Sequence, residues 1–387
     1  MTEKFDVIIC GAGPAGTTCA LALGNSGLKV ALVDKSNFPR DKTCGDAIAA
    51  YAPKVLNTIN PVYAKALLDF TAKEKVNTIR VVSPNKKVLD ISYGEDGFIS
   101  TRMEFDDFLL GLVKQLPNVK LFLNTAVKDV FVNDRGVEVD LDSTMKLEAQ
   151  LLIGCDGEQG VTRKKLTQTQ LDPKHHAAAV RAYFKNVKDI PKATFELHFL
   201  KDLIPGYFWI FPLPNNQANV GLGLLSKTVS DRKLNLRQEM THVLETVPYL
   251  KERFESAEMI SDIKGYGLPL GSRKVPISGN RFMLCGDAAS LIDPLTGEGI
   301  GQAMVSGRYA GWQAKKCFEQ NNYSASFMKQ YDKTVYNKLW KEHRRSYLIR
   351  ELLINNPRLF NLSVNLINSN KVFYNLAKRV LINLFRI

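Results

Sequence analysis

No stretch of the 387-residue chain approaches the roughly 20 consecutive apolar residues that a membrane-crossing helix needs, so no helical span is expected. Paired cysteines are also missing. The six stand at 10, 19, 44, 155, 285 and 317 without a C-x-x-C, which argues against a zinc site and against a disulfide framework. His175, His176, His198, His242 and His343 lack metal-ligand spacing, so no metal site is expected. There is neither an internal repeat nor a low-complexity linker. The opening "MTEKFDVIICGAG" enters a strand pattern within a few residues, which does not read as a signal peptide, and cytoplasmic residence is the expectation. Acidic charge is scarce: 39 Asp and Glu face 52 Lys and Arg, a net +13. From residue 333 onward eleven basic residues meet only Glu342 and Glu351, so +9 of that excess lies in the tail. Nucleic acid and anionic lipid both suit such a patch. No base-stacking or groove-reading module accompanies it, so no nucleic-acid partner is expected.

What is present begins at the N-terminus. "FDVIICGAGPAGTTCALALGNSGLKVALVDK" reads as a strand over 5–10, a helix over 14–25 closed near Gly27, and a second strand over 29–33. Between strand and helix lies Gly11-x-Gly13-x-x-Gly16. Gly11 permits the tight turn, Gly13 lets a pyrophosphate approach the backbone, and Gly16 lets the helix pack closely on the strand. The helix start offers unpaired N–H groups to phosphate. Asp34, 18 residues after Gly16, is placed to accept from ribose hydroxyls. This segment leaves NAD and FAD equally open.

"FMLCGDAASLIDPLTGEGIGQA" (282–303) favours flavin. It reads as a short strand ending at Gly286-Asp287, a glycine-rich turn over 294–299 and a helix from Ile300. An aspartate at a strand end can bind ribityl hydroxyls, and a helix start stabilises the negative charge of a reduced flavin ring. "LLIGCDGEQGVTRKKL" (151–166) is a third strand, ending at Asp156-Gly157. Together these fragments resemble the flavoprotein superfamily that includes the aromatic-ring hydroxylases. With "FPRDKTCGDAI" (38–48), "STRMEFDDFL" (100–109) and "PGYFWIFPLPNNQANVGLG" (205–223), the chain resembles more narrowly the geranylgeranyl reductase family, over roughly residues 5–315. Two positions depart from that pattern. Asp46 follows Cys44-Gly45 where many relatives carry another glycine, and Gly160 stands where serine is common.

The resemblance implies an α/β plus antiparallel β fold. A discontinuous Rossmann-like FAD-binding domain would take 1–72, 102–165 and 279–324, and a β-sheet substrate domain 73–101 and 166–278. A basic helical region would follow over 325–387. Strand patterns such as "TIRVVSP", "KKVLDISY", "ATFELHFL" and "ANVGLGLL" predict a mostly antiparallel sheet in the second domain, with a helix over 231–254. The implied FAD-holding residues are Gly11, Gly13, Pro14, Ala15, Gly16, Asp34, Lys35, Cys44, Gly45, Arg102, Val127, Asp156, Gly157, Gly286, Asp287, Gly297, Gly299 and Ile300. Tyr207, Trp209 and Phe211, on one face of a strand, would line the cavity for an isoprenoid chain, and Cys44, Tyr207 and Trp209 would be catalytic.

The implied reaction is saturation of geranylgeranyl-type double bonds of a lipid or prenylated quinone by hydride transfer from reduced flavin. The aromatic faces would tolerate positive charge on carbon and exclude water. Cys44 is the candidate proton donor by position, with Asp46 and Tyr207 behind it, and a flavin-bound water is the alternative. Cys10, Cys155 and Cys285 read as packing. With no second GxGxxG, the electron donor stays open between NAD(P)H, ferredoxin and a quinol-linked source. Two other readings are a flavin monooxygenase acting on an apolar aromatic or polyene substrate, and a flavin-holding protein without turnover. At the tail, Phe373, Leu376, Val380 and Leu384 share one helical face opposite Lys371, Asn375, Lys378 and Arg386. That pattern suits peripheral contact of 371–387 with the inner face of a membrane, or a helix docked on its own domain.

Overall fold

The computed structural model describes residues 2–141 and 145–384. At its centre a parallel sheet runs in the order Phe282–Leu284, Leu151–Gly154, Val7–Cys10, Val30–Val33, Val119–Phe122, with Ser278–Gly279 added antiparallel at one edge. Strands covered on both faces have no solvent side, so they read as unbroken "VIIC", "VALV" and "LLIG", and all twelve of those residues except Gly154 carry side chains that belong to the core. Helix Pro14–Leu23 is buried along its whole length and packs on the helix Ile300–Glu319. The two predicted halves of the cofactor fold are therefore joined helix to helix.

The larger sheet has nine strands, in the order His176–Lys185, Gln217–Leu225, Tyr207–Leu213, Thr194–His198, Glu74–Val82, Val88–Ile99, Ala47–Ile48, with Glu258–Met259 and Lys264–Pro269 on the outer edge of the first. It is antiparallel throughout except where Thr194–His198 pairs parallel with Glu74–Val82. Its outer face packs Phe208, Ile210, Val220 and Leu222 against Met240, Val243 and Leu250. The inner face turns to the parallel sheet. The short strand Ala47–Ile48, which follows Cys44-Gly45-Asp46, carries the chain from one sheet into the other.

Three features differ from the sequence expectation. A four-stranded sheet of Thr2–Lys4, Lys146–Ala149, Val137–Asp140 and Asp129–Val132 was not foreseen. Its signal is the alternation in "VFVNDRGVEVD", where Asn133 Oδ1 accepts from the Arg135 and Gly136 amides to make the turn. The helix expected over 231–254 is divided into Leu236–Thr246 and Pro248–Phe254, and its first residue instead ends a separate helix, Ser226–Asp231. Lys233 sits at φ 52 and Asn235 caps a new helix start, while Pro248, lacking an N–H, opens another after the extended Val247.

The tail is helical as expected, but its faces are used differently. Helices Pro357–Ser369 and Lys371–Leu384 fold back on the strand Val88–Ile99. Asn368 Nδ2 donates to the Val88 carbonyl at 2.9 Å and Tyr374 Oη to that of Asp90 at 3.2 Å. Phe360 and Val364 are buried with Leu89 and Ile91, and Tyr374 and Ala377 pack on this cluster. Phe373 and Leu376 stay exposed, at 44% and 56%. Arg386 and the side chain of Leu384 lie outside the described residues. Among the described residues no helix is long and apolar enough to cross a membrane.

Candidate active site

The carboxyl ends of the parallel strands face the inner side of the large sheet across a cavity of about 660 Å³. Ligands in open α/β sheets collect at such strand ends. Gly11, Gly13, Pro14 and Ala15 border the cavity at the first turn, Asp34 and Lys35 at the second strand, and Asp156 and Gly157 at the third. Gly286, Asp287, Gly297, Gly299 and Ile300 close the far side, with Arg102 and Val127 between. Cys44 and Gly45 lie against the wall made by Tyr207, Trp209 and Phe211. Of the expected residues only Gly16 stays away from the cavity. It packs beneath the turn, where an added Cβ would stand 1.8 Å from the Gly11 carbonyl oxygen.

Gly11 takes φ 102, a conformation glycine adopts without strain, and aims the chain at the start of Pro14–Leu23. That helix has no side-chain cap, so its first N–H groups are free for an anion. Two guanidiniums stand opposite: a Cβ at Gly13 would lie 3.7 Å from Arg40 and 3.8 Å from Arg102. Arg102 donates to both oxygens of the buried Asp106 at 2.7 and 2.6 Å, and Arg40 sits 2.9 Å from the same carboxylate. Two cations share one anion, which leaves a surplus positive charge beside the glycine turn. The space and the charge fit the pyrophosphate of a dinucleotide.

At the ribose side Asp34 accepts from the Ala12 amide at 2.7 Å and the Ser36 amide at 2.9 Å, and each oxygen keeps a second lone pair. Asp156 is held by the Thr162 amide and hydroxyl, and burial raises its pKa. Lys42 Nζ meets Asp287 Oδ2 at 3.1 Å. Glu298, beside the start of Ile300–Glu319, accepts from Tyr51 at 2.9 Å, and burial with Asp293 nearby pushes its pKa up to about 7. A polar, helix-capped end and a phosphate end are thus both present for FAD.

The aromatic wall is built by register. Tyr207 pairs with Gly223, Trp209 with Gly221 and Phe211 with Asn219. A Cβ at Gly221 would stand 2.3 Å from Trp209 Cζ2, so the indole can lie across the neighbouring strand only because that position is glycine. Trp209 Nε1 donates to Asn219 Oδ1 at 2.9 Å, and Tyr207 Oη donates to the Thr296 carbonyl at 2.6 Å. Phe195, Leu197, Phe199, Leu295 and Ile354 continue the apolar lining toward the tail helices. Burial pushes the Cys44 thiol up, with Arg102 opposing.

The sequence reading missed Arg40, Lys42, Asn219 and Glu298. "FPRDK" and "TGEG" carry Arg40, Lys42 and Glu298 beside the glycine motifs, and the side-chain-free face of "NVGLG" was the visible signal for a ring laid across that strand. Cys155 and Cys285, read as packing, also border the cavity. Among the described residues no cluster could hold a metal.

The sequence profile of the FAD binding domain matches residues 4–335. The digeranylgeranylglycerophospholipid reductase of Thermoplasma volcanium is 28% identical over 364 residues, covering 91% of this chain and 88% of the relative. The menaquinone reductase of Mycolicibacterium smegmatis is 29% identical over 325 residues, covering 80% and 76%. Among solved structures, a geranylgeranyl bacteriochlorophyll reductase-like protein from Thermoplasma acidophilum superposes with a TM-score of 0.83 at 25% identity, covering 96% of this chain and 93% of that one. With the two-part fingerprint, the anion-ready turn and this match over most of its length, the chain belongs to the FAD binding domain family and is an FAD-dependent oxidoreductase, distantly related to isoprenoid-lipid and menaquinone reductases.

Proposed function

We propose that the protein saturates isoprenoid double bonds of a lipid or prenylated quinone. The observation that carries this reading is the tethered wall of Tyr207, Trp209 and Phe211, set in the same cavity as the flavin fingerprint and continued by apolar side chains. When bound, reduced FAD supplies the hydride. Arg40 and Arg102 would hold its pyrophosphate, Asp34 its ribose, and Asp156 and Asp287 its remaining hydroxyls. Tyr207 and Trp209 would present π faces to positive charge developing on a carbon, and the wall would keep water away from it. An isolated alkene offers no oxygen to polarise, so an aromatic enclosure suits it better than an oxyanion site. The cofactor unit in this reading takes 1–72, 102–165 and 279–324, with Ala47–Ile48 lent to the substrate sheet of 73–101 and 166–278.

A membrane surface is the proposed source of substrate. Leu352, Leu359, Leu362, Leu366, Val372 and Leu376 are exposed on consecutive tail elements, among Arg358, Lys371 and Arg379. Buried Ile354, at the cavity, lies within the same stretch. Apolar side chains set among cations fit an anionic bilayer.

The test is an anaerobic assay with reduced, FAD-loaded protein and detergent-dispersed geranylgeranyl lipid or prenylated quinone, read by mass spectrometry. Two hydrogens gained per double bond is the expected result. Unchanged lipid together with oxygen-dependent turnover would replace this reading with a monooxygenase.

A further inference from the structure

Asp46, which stands where many relatives carry glycine, lies at the cavity. It is fully buried, it borders the cavity between Gly45 and Ala47, and it holds φ 65, where an aspartate is strained and a glycine is not. Its two oxygens are treated unequally. Oδ2 accepts twice, from Tyr183 Oη at 2.8 Å and from Asn219 Nδ2 at 2.8 Å. Oδ1 has no partner among the described residues. Asn219 is the hub: the same amide nitrogen donates to the Cys44 carbonyl at 2.7 Å, and its oxygen holds the Trp209 indole. The carboxyl is therefore fixed to the backbone beside Cys44 and to the aromatic wall through one side chain.

A carboxyl whose one oxygen receives every hydrogen bond while the other is bare is arranged as an acid, with the proton on the bare oxygen. We propose that Asp46 supplies the proton in double-bond reduction, a role resting on the reductase reading above. The alkene π bond breaks; one carbon takes the Asp46 proton and the other the hydride that reduced flavin supplies. Two electrons leave the flavin, and Asp46 becomes a carboxylate held by Tyr183 and Asn219. The lost proton returns from solvent after product leaves. Tyr183, half-buried, joins Asp46 to the Arg181–Asp41–Lys264 group, whose lysine reaches the surface.

The charged and titratable groups that face Asp46 are Arg181 and Tyr183 on their strand, Arg102 on its helix and Cys44 beside it. Burial outweighs the two hydrogen bonds and the two arginines and lifts the carboxyl to about 6. Cys44, the donor favoured by position in the sequence, has a thiol that burial raises from an ordinary value already above that of any carboxyl, so Asp46 is the stronger acid of the two.

Asp46→Asn keeps an acceptor for both donors, and Asp46→Gly relieves the backbone, so both variants should fold. Two measurements decide. In the flavin-free protein, infrared difference spectra on raising pH should lose a protonated-carboxyl band with a midpoint near 6, and that change should be missing in Asp46→Asn. In flavin-loaded, photoreduced protein, anaerobic reoxidation by geranylgeranyl lipid should fall about 100-fold or more in both variants, the range for loss of a general acid. Lipid binding, read from the flavin absorbance, should be unchanged, and the fall in wild-type rate above pH 6 should vanish. Active wild type with variants within threefold and the same pH profile would overturn the Asp46 role alone. Wild type that leaves the lipid untouched would remove the reductase reading, and the role with it. A midpoint near 4, the ordinary aspartate value, would also overturn it.

Discussion

The strand Tyr207–Leu213 has two faces that burial does not tell apart. Phe208 and Ile210 on the outer face are 0% exposed, and Trp209 and Phe211 on the inner face are 6% and 7%. Neighbours separate them. The outer pair meets apolar side chains of strand and helix with no polar end to satisfy. On the inner face Tyr207 and Trp209 carry polar ends tied to fixed acceptors, Thr296 and Asn219, and face glycines across the sheet. An apolar core needs volume, whereas a cavity wall must hold its shape beside space, and the tethers supply that. The carboxyls repeat the contrast. Glu196, paired with Ile210, takes two hydrogen bonds from Arg253 at 2.8 and 2.7 Å. Burial would raise it, but His198 and Arg253 hold it down at about 2. Asp46, on the inner side, has no such ion pair among the described residues and rises to about 6.

The largest expected effect tests the outer face. Phe208→Ala should cost about 3–5 kcal/mol of stability, as a large buried ring leaves a cavity among Val220, Leu222 and Met240. Denaturant unfolding measures this, and flavin affinity of the folded fraction should be unchanged. Trp209→Phe should do the reverse. It leaves Asn219 Oδ1 unpaired, a cost of about 1–3 kcal/mol, while reoxidation of the reduced flavin by lipid slows at least tenfold. Equal stability losses with unaffected turnover in both variants would erase the distinction between the faces.

The carboxyl contrast predicts opposite pH limbs. Glu196 is depressed, so its stabilisation is present above the unfolded value of 4.5 and is lost as pH falls toward 2. Asp46 is raised, so its contribution is present below 3.8 and is lost as pH rises through 6. Each limb should be worth on the order of 2–3 kcal/mol. Thermal unfolding across pH 2.5–7.5 should lose the acid limb in Glu196→Gln and the limb between pH 4 and 6 in Asp46→Asn.

This contrast also marks where the sequence was legible. The glycine turn, Asp34 and the strand runs could be read because each is local: a backbone conformation, a strand end, a covered strand. The alternation of "YFWIFPL" placed Tyr207, Trp209 and Phe211 together for the same reason. The partners were not legible, since Arg40 and Arg102 share Asp106 across 66 and 4 residues, and Asn219 meets Asp46 across 173. Asp46 appeared in the sequence as a departure from glycine and as a group behind Cys44, but its own hydrogen bonds were not legible, because they depend on Tyr183 and Asn219, which the fold brings in. The tail helix was legible as amphipathic but not for which stripe would dock. That depended on where the strand Val88–Ile99 sits, and its hairpin with Glu74–Val82 is set in the large sheet by the long-range pairing of Glu74–Val82 with Thr194–His198.

The tail gives the smallest stability effect and extends the contrast to the surface. Phe360 and Val364 are buried against Leu89 and Ile91, whereas Leu359, Leu362 and Leu366 on the same helix are 47%, 53% and 41% exposed. If the exposed stripe were spare core, charging it would unfold the tail. If it is a bilayer contact, Leu362→Glu with Leu366→Glu should change stability by no more than about 0.5 kcal/mol per site, because neither side chain fills a packed space. Flotation with vesicles containing anionic lipid should then drop severalfold, and raised salt should weaken binding of the unaltered protein through loss of the lysine and arginine attraction. Phe360→Ala should do the opposite, destabilising the tail while leaving the exposed stripe intact. Unchanged flotation in the double variant would assign the stripe no part in lipid contact.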